Sequence, residues 1–425
     1  MSLNPDVLVV GGGAIGAASA LELARSGARV TLLERGSQLA AGCSAGNAGL
    51  ICPSHAYPLA GPAALRSGVR WMLRRDSPLY VRPRPTILPW LARFAAASTP
   101  ARADAGMRLI RSLGLASLEL HAGLAAAGID TGFTRRGVLN VYETEAGFAT
   151  GRYEAELHAG AGLRSEHVDP DRARALEPAL VGSLAGAVLY PDEAHCDPER
   201  FVSAVGEAAA EAGARIRLGV EVLGLRRDGP RAMVVDTTVG PVGAGTVVVA
   251  AGAWTPRIAR ELGLFVPVEG GKGYHVDFQA EDGDPDVPVF LQEARVIATP
   301  LPGRLRIAGT LELSGLDLGV DRVRLEAMLR ASRRVLRVEG RRVVGIWRGL
   351  RPCAPDGLPI VGRPPGHDTV VLATGHAMMG LTLAPVTGRL VAEMVAGEKP
   401  SHDVSALRPE RFRRLRLPGR GPLER

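Results

Sequence analysis

This sequence predicts an α/β fold, and three observations predict it. Residues 6–10 form a short apolar, β-branched run, followed at once by Gly11, Gly13 and Gly16 and a helical pattern over 14–26. Residues 247–255 form a further apolar run ending in small residues. A third run, 370–373, passes through a glycine-containing loop into a helical pattern over 384–396. Short apolar runs without alternation suit strands covered on both faces, as in a parallel sheet.

The first of these elements carries the most chemistry. Gly27 ends the helix, and residues 29–33 make the next strand, closing at Glu34. Strand, glycine turn, helix, strand and acid, in that order, spell a Rossmann-like dinucleotide-binding unit. Gly11 permits the tight turn, Gly13 lets the backbone approach a pyrophosphate, and Gly16 lets the helix pack closely. The helix start at Ala14 and Ile15 offers N–H groups and a partial positive charge to phosphates. Glu34, 23 residues after Gly11, suits a ribose diol and would repel a phosphorylated ribose, which speaks against NADP. One complete copy of the motif implies one dinucleotide. The turn itself leaves NAD and FAD open.

The later elements add small residues where a flat ligand would pass. Residues 44–51, from Ser44 through Asn47, Ala48 and Gly49 to Leu50, let the chain run close against such a ligand. Ala251 and Gly252 end the second run, and the loop from Gly375 through His376, Met378, Met379, Gly380 and Leu381 to Thr382 precedes the last helix.

Composition narrows the function class. At 425 residues and 44.6 kDa the chain suggests two domains, and 46% hydrophobic with 22% charged residues is globular, not fibrous or disordered. The net charge is +7 and the pI about 9.7, which invites a nucleic-acid or membrane-surface reading. Yet Lys272 and Lys399 are the only lysines, and 49 arginines are scattered along the chain with acids among them. That pattern is coding bias, and no nucleic-acid partner is expected. Cys43, Cys52, Cys196 and Cys353 show no CxxC pair and no histidine at metal-ligand spacing, so neither a disulfide framework nor a metal is expected. The first strand pattern begins too early for a signal peptide, and no apolar run nears the roughly 18 residues of a membrane span. A cytoplasmic protein is expected, at most attached peripherally to the membrane from that side.

Segments 47–62, 77–85, 191–201 and 349–362, together with the glycine turn, resemble the D-amino-acid oxidase/dehydrogenase family of FAD-dependent amine oxidoreductases. That family includes glycine oxidase and sarcosine oxidase, and the bacterial D-amino-acid dehydrogenases are the nearest branch. The resemblance runs from Val7 to about Ala396. It implies non-covalent FAD, with Gly11, Gly13, Ala14, Ile15, Gly16, Glu34 and Arg35 at the ADP half. Val222 would bond adenine through its backbone. Ser44, Asn47, Ala48, Gly49, Leu50, Ala251 and Gly252 would run along pyrophosphate and ring. The loop Gly375–Thr382 would close over the pyrimidine end, where a helix N-terminus can stabilise charge on reduced flavin.

The resemblance also implies two interleaved domains. The FAD-binding domain takes 1–58, 170–264 and 342–400. An α+β substrate domain carrying an antiparallel sheet takes 59–169 and 265–341, and 401–425 is a basic C-terminal tail. Helical patterns at 66–75 and 87–127 and strand patterns at 274–278 and 304–309 furnish the substrate domain.

Oxidising an amino acid at a flavin asks the protein for position and field, with the carboxylate held and the amine neutral. A guanidinium fork matches a carboxylate. Arg351 matches the family's carboxylate-binding arginine, with Arg348 as the fallback. Tyr274 opens a strand expected to line the site, or serves as a half-buried core tyrosine. His55 and Tyr57 follow the flavin-adjacent segment and are candidates to cap the pocket, and His376 lies in the loop over the ring. Each histidine has a structural reading as a hydrogen-bonded residue. His195 reads as the start of the helix over 198–212. Cys353 does not fall where some sarcosine oxidases attach FAD, and reads as a buried inert thiol.

The activity implied is oxidation of a D-amino acid to an imino acid, which water hydrolyses to a 2-oxo acid and ammonia. Hydroxyproline, proline, glycine or sarcosine are alternatives on the same scaffold. The electron acceptor is open between a quinone, another carrier and oxygen. A different class, a basic membrane-surface or nucleic-acid-binding protein, rests on the stretch 66–93, where seven arginines stand among Trp71, Met72, Leu73 and Trp90.

Overall fold

The computed structural model describes residues 5–62, 65, 76–229 and 232–412. Five parallel strands form one sheet, in the order Val370–Thr374, Thr246–Val249, Val7–Val10, Val30–Leu33 and Arg215–Arg217. Ile360–Gly362 adds an antiparallel edge beside Val370–Thr374. All four residues of Val7–Val10 are buried. Val7 and Val9 face the helices Ala14–Arg25, Pro198–Glu211 and Ala384–Ala396. Leu8 and Val10 face the opposite layer, an antiparallel meander of Val222–Arg227, Met233–Thr237 and Val242–Ala244 with the short helix Thr255–Arg260. Apolar residues on both faces explain why this strand shows no alternation.

The second layer is a nine-stranded sheet. Its order is Val343–Cys353, Glu269–Gln279, Arg304–Leu313, Val296–Leu301, Val289–Leu291, Val138–Tyr142, Gly186–Tyr190 and Glu166–Val168, with Leu79–Val81 added beside Arg304–Leu313. Only the pairings of Val289–Leu291 with Val138–Tyr142 and of Leu79–Val81 with Arg304–Leu313 are parallel. The expected division put Gly186–Tyr190 and Val343–Cys353 with the dinucleotide unit, but both belong to this sheet. Gly186–Tyr190 is held between two of its strands, and Val343–Cys353 pairs with Glu269–Gln279 from Val343 to Cys353.

The described part of the tail is not free. Val404 and Leu407 enter the helix-side core, and Arg411 forks onto Asp356 at 2.7 and 3.2 Å. Residues 413–425 lie outside the described residues, as does the arginine-rich helical pattern 66–75. In the rest of that stretch, Trp90 is buried and donates to the Cys353 carbonyl at 3.0 Å, Arg82 pairs with Asp317, and Arg84 with Glu269. No described helix is long and apolar enough to cross a membrane. His195 pairs with Leu50 in a two-residue strand, and Asp197, not His195, caps the helix Pro198–Glu211.

Candidate active site

The carboxyl ends of the parallel strands open on a cleft of about 1460 Å³, counted out to its mouth. This is where open α/β sheets bind their ligands. Gly11 has φ +108°, and a Cβ there would sit 2.6 Å from the Ala250 carbonyl oxygen. A Cβ on Gly16 would fall on the Gly11 carbonyl, so only glycine lets the helix close onto the turn. Ser44 caps that helix by accepting from the Ala14 amide at 2.9 Å. Nearly buried, Glu34 accepts from the Gly12 and Gly36 amides at 2.6 and 2.7 Å, which spends one lone pair on each oxygen and leaves others for a diol. Arg35 lies over the Trp254 ring, and Val222, Ala251 and Gly252 line the same end.

The segment 44–50 is tied down from two sides. Asn47 donates to the Met378 carbonyl at 3.2 Å and Thr382 to that of Leu50 at 3.0 Å, joining the segment to the last loop. From the large sheet, Arg306 donates to the carbonyls of Ala45 and Asn47 at 2.6 and 2.9 Å. Its other nitrogens fork onto Asp277 at 2.9 Å each, and the side chain is 0% exposed. Ser44, Asn47, His376, Gly380 and Leu381 line the cleft. Ala48, Gly49 and Leu50 do not, because the chain turns there into the seam where Leu50 packs on Cys52 and Val138. Gly16, Gly375, Met378, Met379 and Thr382 support the walls without lining them.

The other end of the cleft is made by side chains. Along Val343–Cys353, Trp347, Gly349 and Arg351 share one face, as residues two apart must. The Trp347 ring stacks on His275 at 5.3 Å and lies against Gly46 and Gly349, where any Cβ would overlap it. Arg351 lies over Gly273 in the same way and donates to the Thr310 carbonyl at 2.6 Å. Thr310 has φ +60°, uncommon for a β-branched residue, where the register with Glu269–Gln279 slips between Lys272 and Tyr274. The kink presents the carbonyl that holds the guanidinium. Burial presses the Arg351 pKa down, and among the described residues no carboxylate lies within 4 Å of it. A guanidinium drawn half out of water without an acid is completed by an anion.

Four expected residues fall elsewhere. Tyr274 points to the opposite face of its strand, where it donates to Glu312 at 3.0 Å and accepts from the Asp321 amide. It is a core tyrosine, because alternation gives the cleft face to Gly273 and His275. Arg348 is exposed and bonds the Leu318 carbonyl. His55 rests on Phe290 at 4.7 Å, and Tyr57 meets His158 at 3.0 Å; neither lines the cleft. His376 does line it, but its Nε2 meets the Thr387 hydroxyl at 3.0 Å, and burial pushes its pKa down to about 3. Cys353 is buried with its thiol pushed up to about 12. Trp347, Trp254 and Arg306 escaped sequence reading. The usable signal for Arg306 was an arginine and an acid, Asp277, each inside a predicted strand.

The family model described as FAD dependent oxidoreductase matches residues 6–394, and the chain belongs to that family. The D-amino acid dehydrogenase of Paramagnetospirillum magneticum is 34% identical over 96% of this chain and 98% of its own. Glycine oxidase from Geobacillus kaustophilus superposes with a TM-score of 0.78 at 27% identity, covering 96% of this chain and 99% of its own. L-proline dehydrogenase from P. horikoshii shares the fold, with a TM-score of 0.78 at 20% identity over 97% and 98% of the two chains.

Proposed function

Taking that membership as the premise, we propose that this FAD-dependent amino-acid oxidoreductase acts on D-amino acids, with the substrate carboxylate on Arg351. The observation that carries the proposal is the half-buried Arg351 guanidinium lining the cleft, with no carboxylate within 4 Å of it among the described residues. The kinship at 34% identity to a D-amino acid dehydrogenase supports the substrate class.

The cleft fits the cofactor: a Cβ at Gly13 would sit 2.9 Å from Ser44 Oγ, and the bare backbone there leaves room for a pyrophosphate. In this reading Gly11, Gly13, Ala14, Ile15, Glu34, Arg35 and Val222 hold the ADP half. Ser44, Asn47, Ala251, Gly252, Gly380 and Leu381 run beside the flavin. When bound, FAD supplies the two-electron acceptor that takes hydride from the substrate Cα.

The chain's own residues then have three tasks. Arg351 orients the carboxylate through charge-assisted hydrogen bonds. Trp347, fixed by His275, excludes water beside it. The third task is to leave the amine proton alone: His376 is neutral and turned to Thr387, and offers no base to it. The amine therefore arrives neutral from solvent. An imino acid leaves, and water completes the conversion to a 2-oxo acid and ammonia. A second reading, glycine or a cyclic imino acid as substrate, is favoured by the likeness to glycine oxidase at 27% identity.

Anaerobic bleaching of the flavin band against D- and L-amino acids and cyclic imino acids tests the proposal. Bleaching by D-amino acids is expected; bleaching by glycine or proline alone selects the second reading, and none at all rejects both. Reoxidation by air or only by a quinone then identifies the acceptor.

A further inference from the structure

Cys52 and His55 are separated by two residues, across the single turn Pro53–His55 that leaves the strand Leu50–Ile51. The partner strand, Ala194–His195, is preceded directly by Glu193. One ligand atom from each of Cys52, His55 and Glu193 falls within 4.8 Å of the others. Sequence reading found no histidine at metal-ligand spacing, yet Cys-x-x-His on one turn, with an acid from the paired strand, supplies three donors.

Glu193 shows what is missing. Its side chain is 0% exposed, and Oε1 accepts from the Ser54 amide at 2.6 Å, in the middle of the chelating turn. Oε2 is buried and has no hydrogen-bond partner among the described residues. A buried carboxyl oxygen left so is costly. Cys52 packs on Leu50 and Val138, and the His55 ring, resting on Phe290, has only long contacts at 3.4 Å, from Nδ1 to the Ser54 hydroxyl and from Nε2 to the Gln292 amide.

We propose that Cys52 Sγ, a ring nitrogen of His55 and Glu193 Oε2 form a zinc site at the seam between the parallel sheet's unit and the large sheet. Mixed sulfur, nitrogen and oxygen donors suit zinc, with the fourth position left to a water or a further group. A tetrahedral ion draws its donors to about 3.3–3.8 Å apart, given its bond lengths of about 2.0–2.3 Å. Donors already within 4.8 Å need close by only about an ångström. Charge closes as well. Thiolate, carboxylate and neutral imidazole around a dication sum to zero, as a buried site requires. The Ser54 amide on Oε1 orients the ligating carboxylate, the outer support such sites use. The ion pins the turn that follows the flavin-side segment against its partner strand, outside the cleft's lining.

Metal analysis of the flavin-loaded protein, expressed with added zinc and freed of loose metal by gel filtration, tests this. About one zinc per chain is expected in the parent. Cys52→Ser and the isosteric Glu193→Gln should each lower it at least tenfold with flavin content unchanged. Cobalt(II) added to chelator-stripped holoprotein should give d–d absorption to the red of the flavin bands, weakened in Glu193→Gln and altered in Cys52→Ser by loss of the thiolate. Less than about a tenth of a zinc in the parent, with no cobalt spectrum, overturns the site. Zinc retained equally by both variants overturns it too.

Discussion

The two ends of the cleft are built by different means. At the ADP end the groups facing the ligand are mainly backbone, shaped by Gly11, Gly13 and Gly16 within a few residues of one another. At the reacting end they are side chains, Arg351 and Trp347, whose positions depend on strands joined from distant parts of the chain. A backbone-built cradle is a local property of sequence. A side-chain-built site is a property of register, and shifting one strand by a residue would turn Arg351 away from the cleft.

The largest expected effect breaks the local end. Gly16→Ala puts a methyl group on the Gly11 carbonyl, so the turn must open. Protein purified from this variant should carry no flavin, read from its visible absorption, while far-UV circular dichroism stays near that of the parent.

The next breaks what joins the two ends. Arg306→Met leaves Asp277 buried and removes both bonds to the 44–50 segment. Removing one partner of a buried pair costs up to about 3–5 kcal/mol, part of which Arg304, 3.2 Å from Asp277, offsets. Urea denaturation should show that loss, and the FAD dissociation constant should rise by tenfold or more. A stability loss without any change in FAD affinity would make Arg306 merely structural.

A smaller effect comes from acid. Burial holds His121, His158, His195 and His275 down to about 4, below the ordinary histidine value of 6.5. The unfolded chain binds protons near pH 6.5 that the folded chain refuses until about pH 4, so stability is complete above that range and falls as pH drops through it. Thermal melts between pH 7 and pH 4 should decline steadily. His275→Gln, which keeps the contact with Trp347, should flatten the decline slightly.

The smallest sharpens the face assignment. Tyr274→Phe removes a hydrogen bond to Glu312 on the far side of the strand. It should cost about 1 kcal/mol of stability. Kinetic constants for the substrate should not move.

Legibility follows the same division. Val7–Val10, Ala14–Arg25 and Val30–Leu33 were readable because apolar runs, helix period and glycine turn all lie within forty residues. The place of Arg351 in the cleft was legible only through resemblance, since nothing local separates it from Arg348 three residues away. Their fates differ because the odd residues of that strand face the cleft and Arg348 faces solvent. Tyr274 stayed open between cleft and core for the same reason: the strand was legible and its face was not. Trp347 depended on Gly46, 301 residues earlier, to make room for its ring. Gly186–Tyr190 and Val343–Cys353 were given to the wrong layer because sheet membership is decided by partners distant in sequence.

The most direct measurement compares a D-amino acid with its carboxamide, in the parent and in Arg351→Leu. A carboxylate held by Arg351 is worth about 1.5–3 kcal/mol, or roughly ten- to 150-fold. The parent should therefore lose about that factor in kcat/KM when the carboxylate becomes an amide. The variant, already without the partner, should lose almost nothing. An equal loss in both proteins would place the carboxylate somewhere other than Arg351, and the reacting end of the cleft with it.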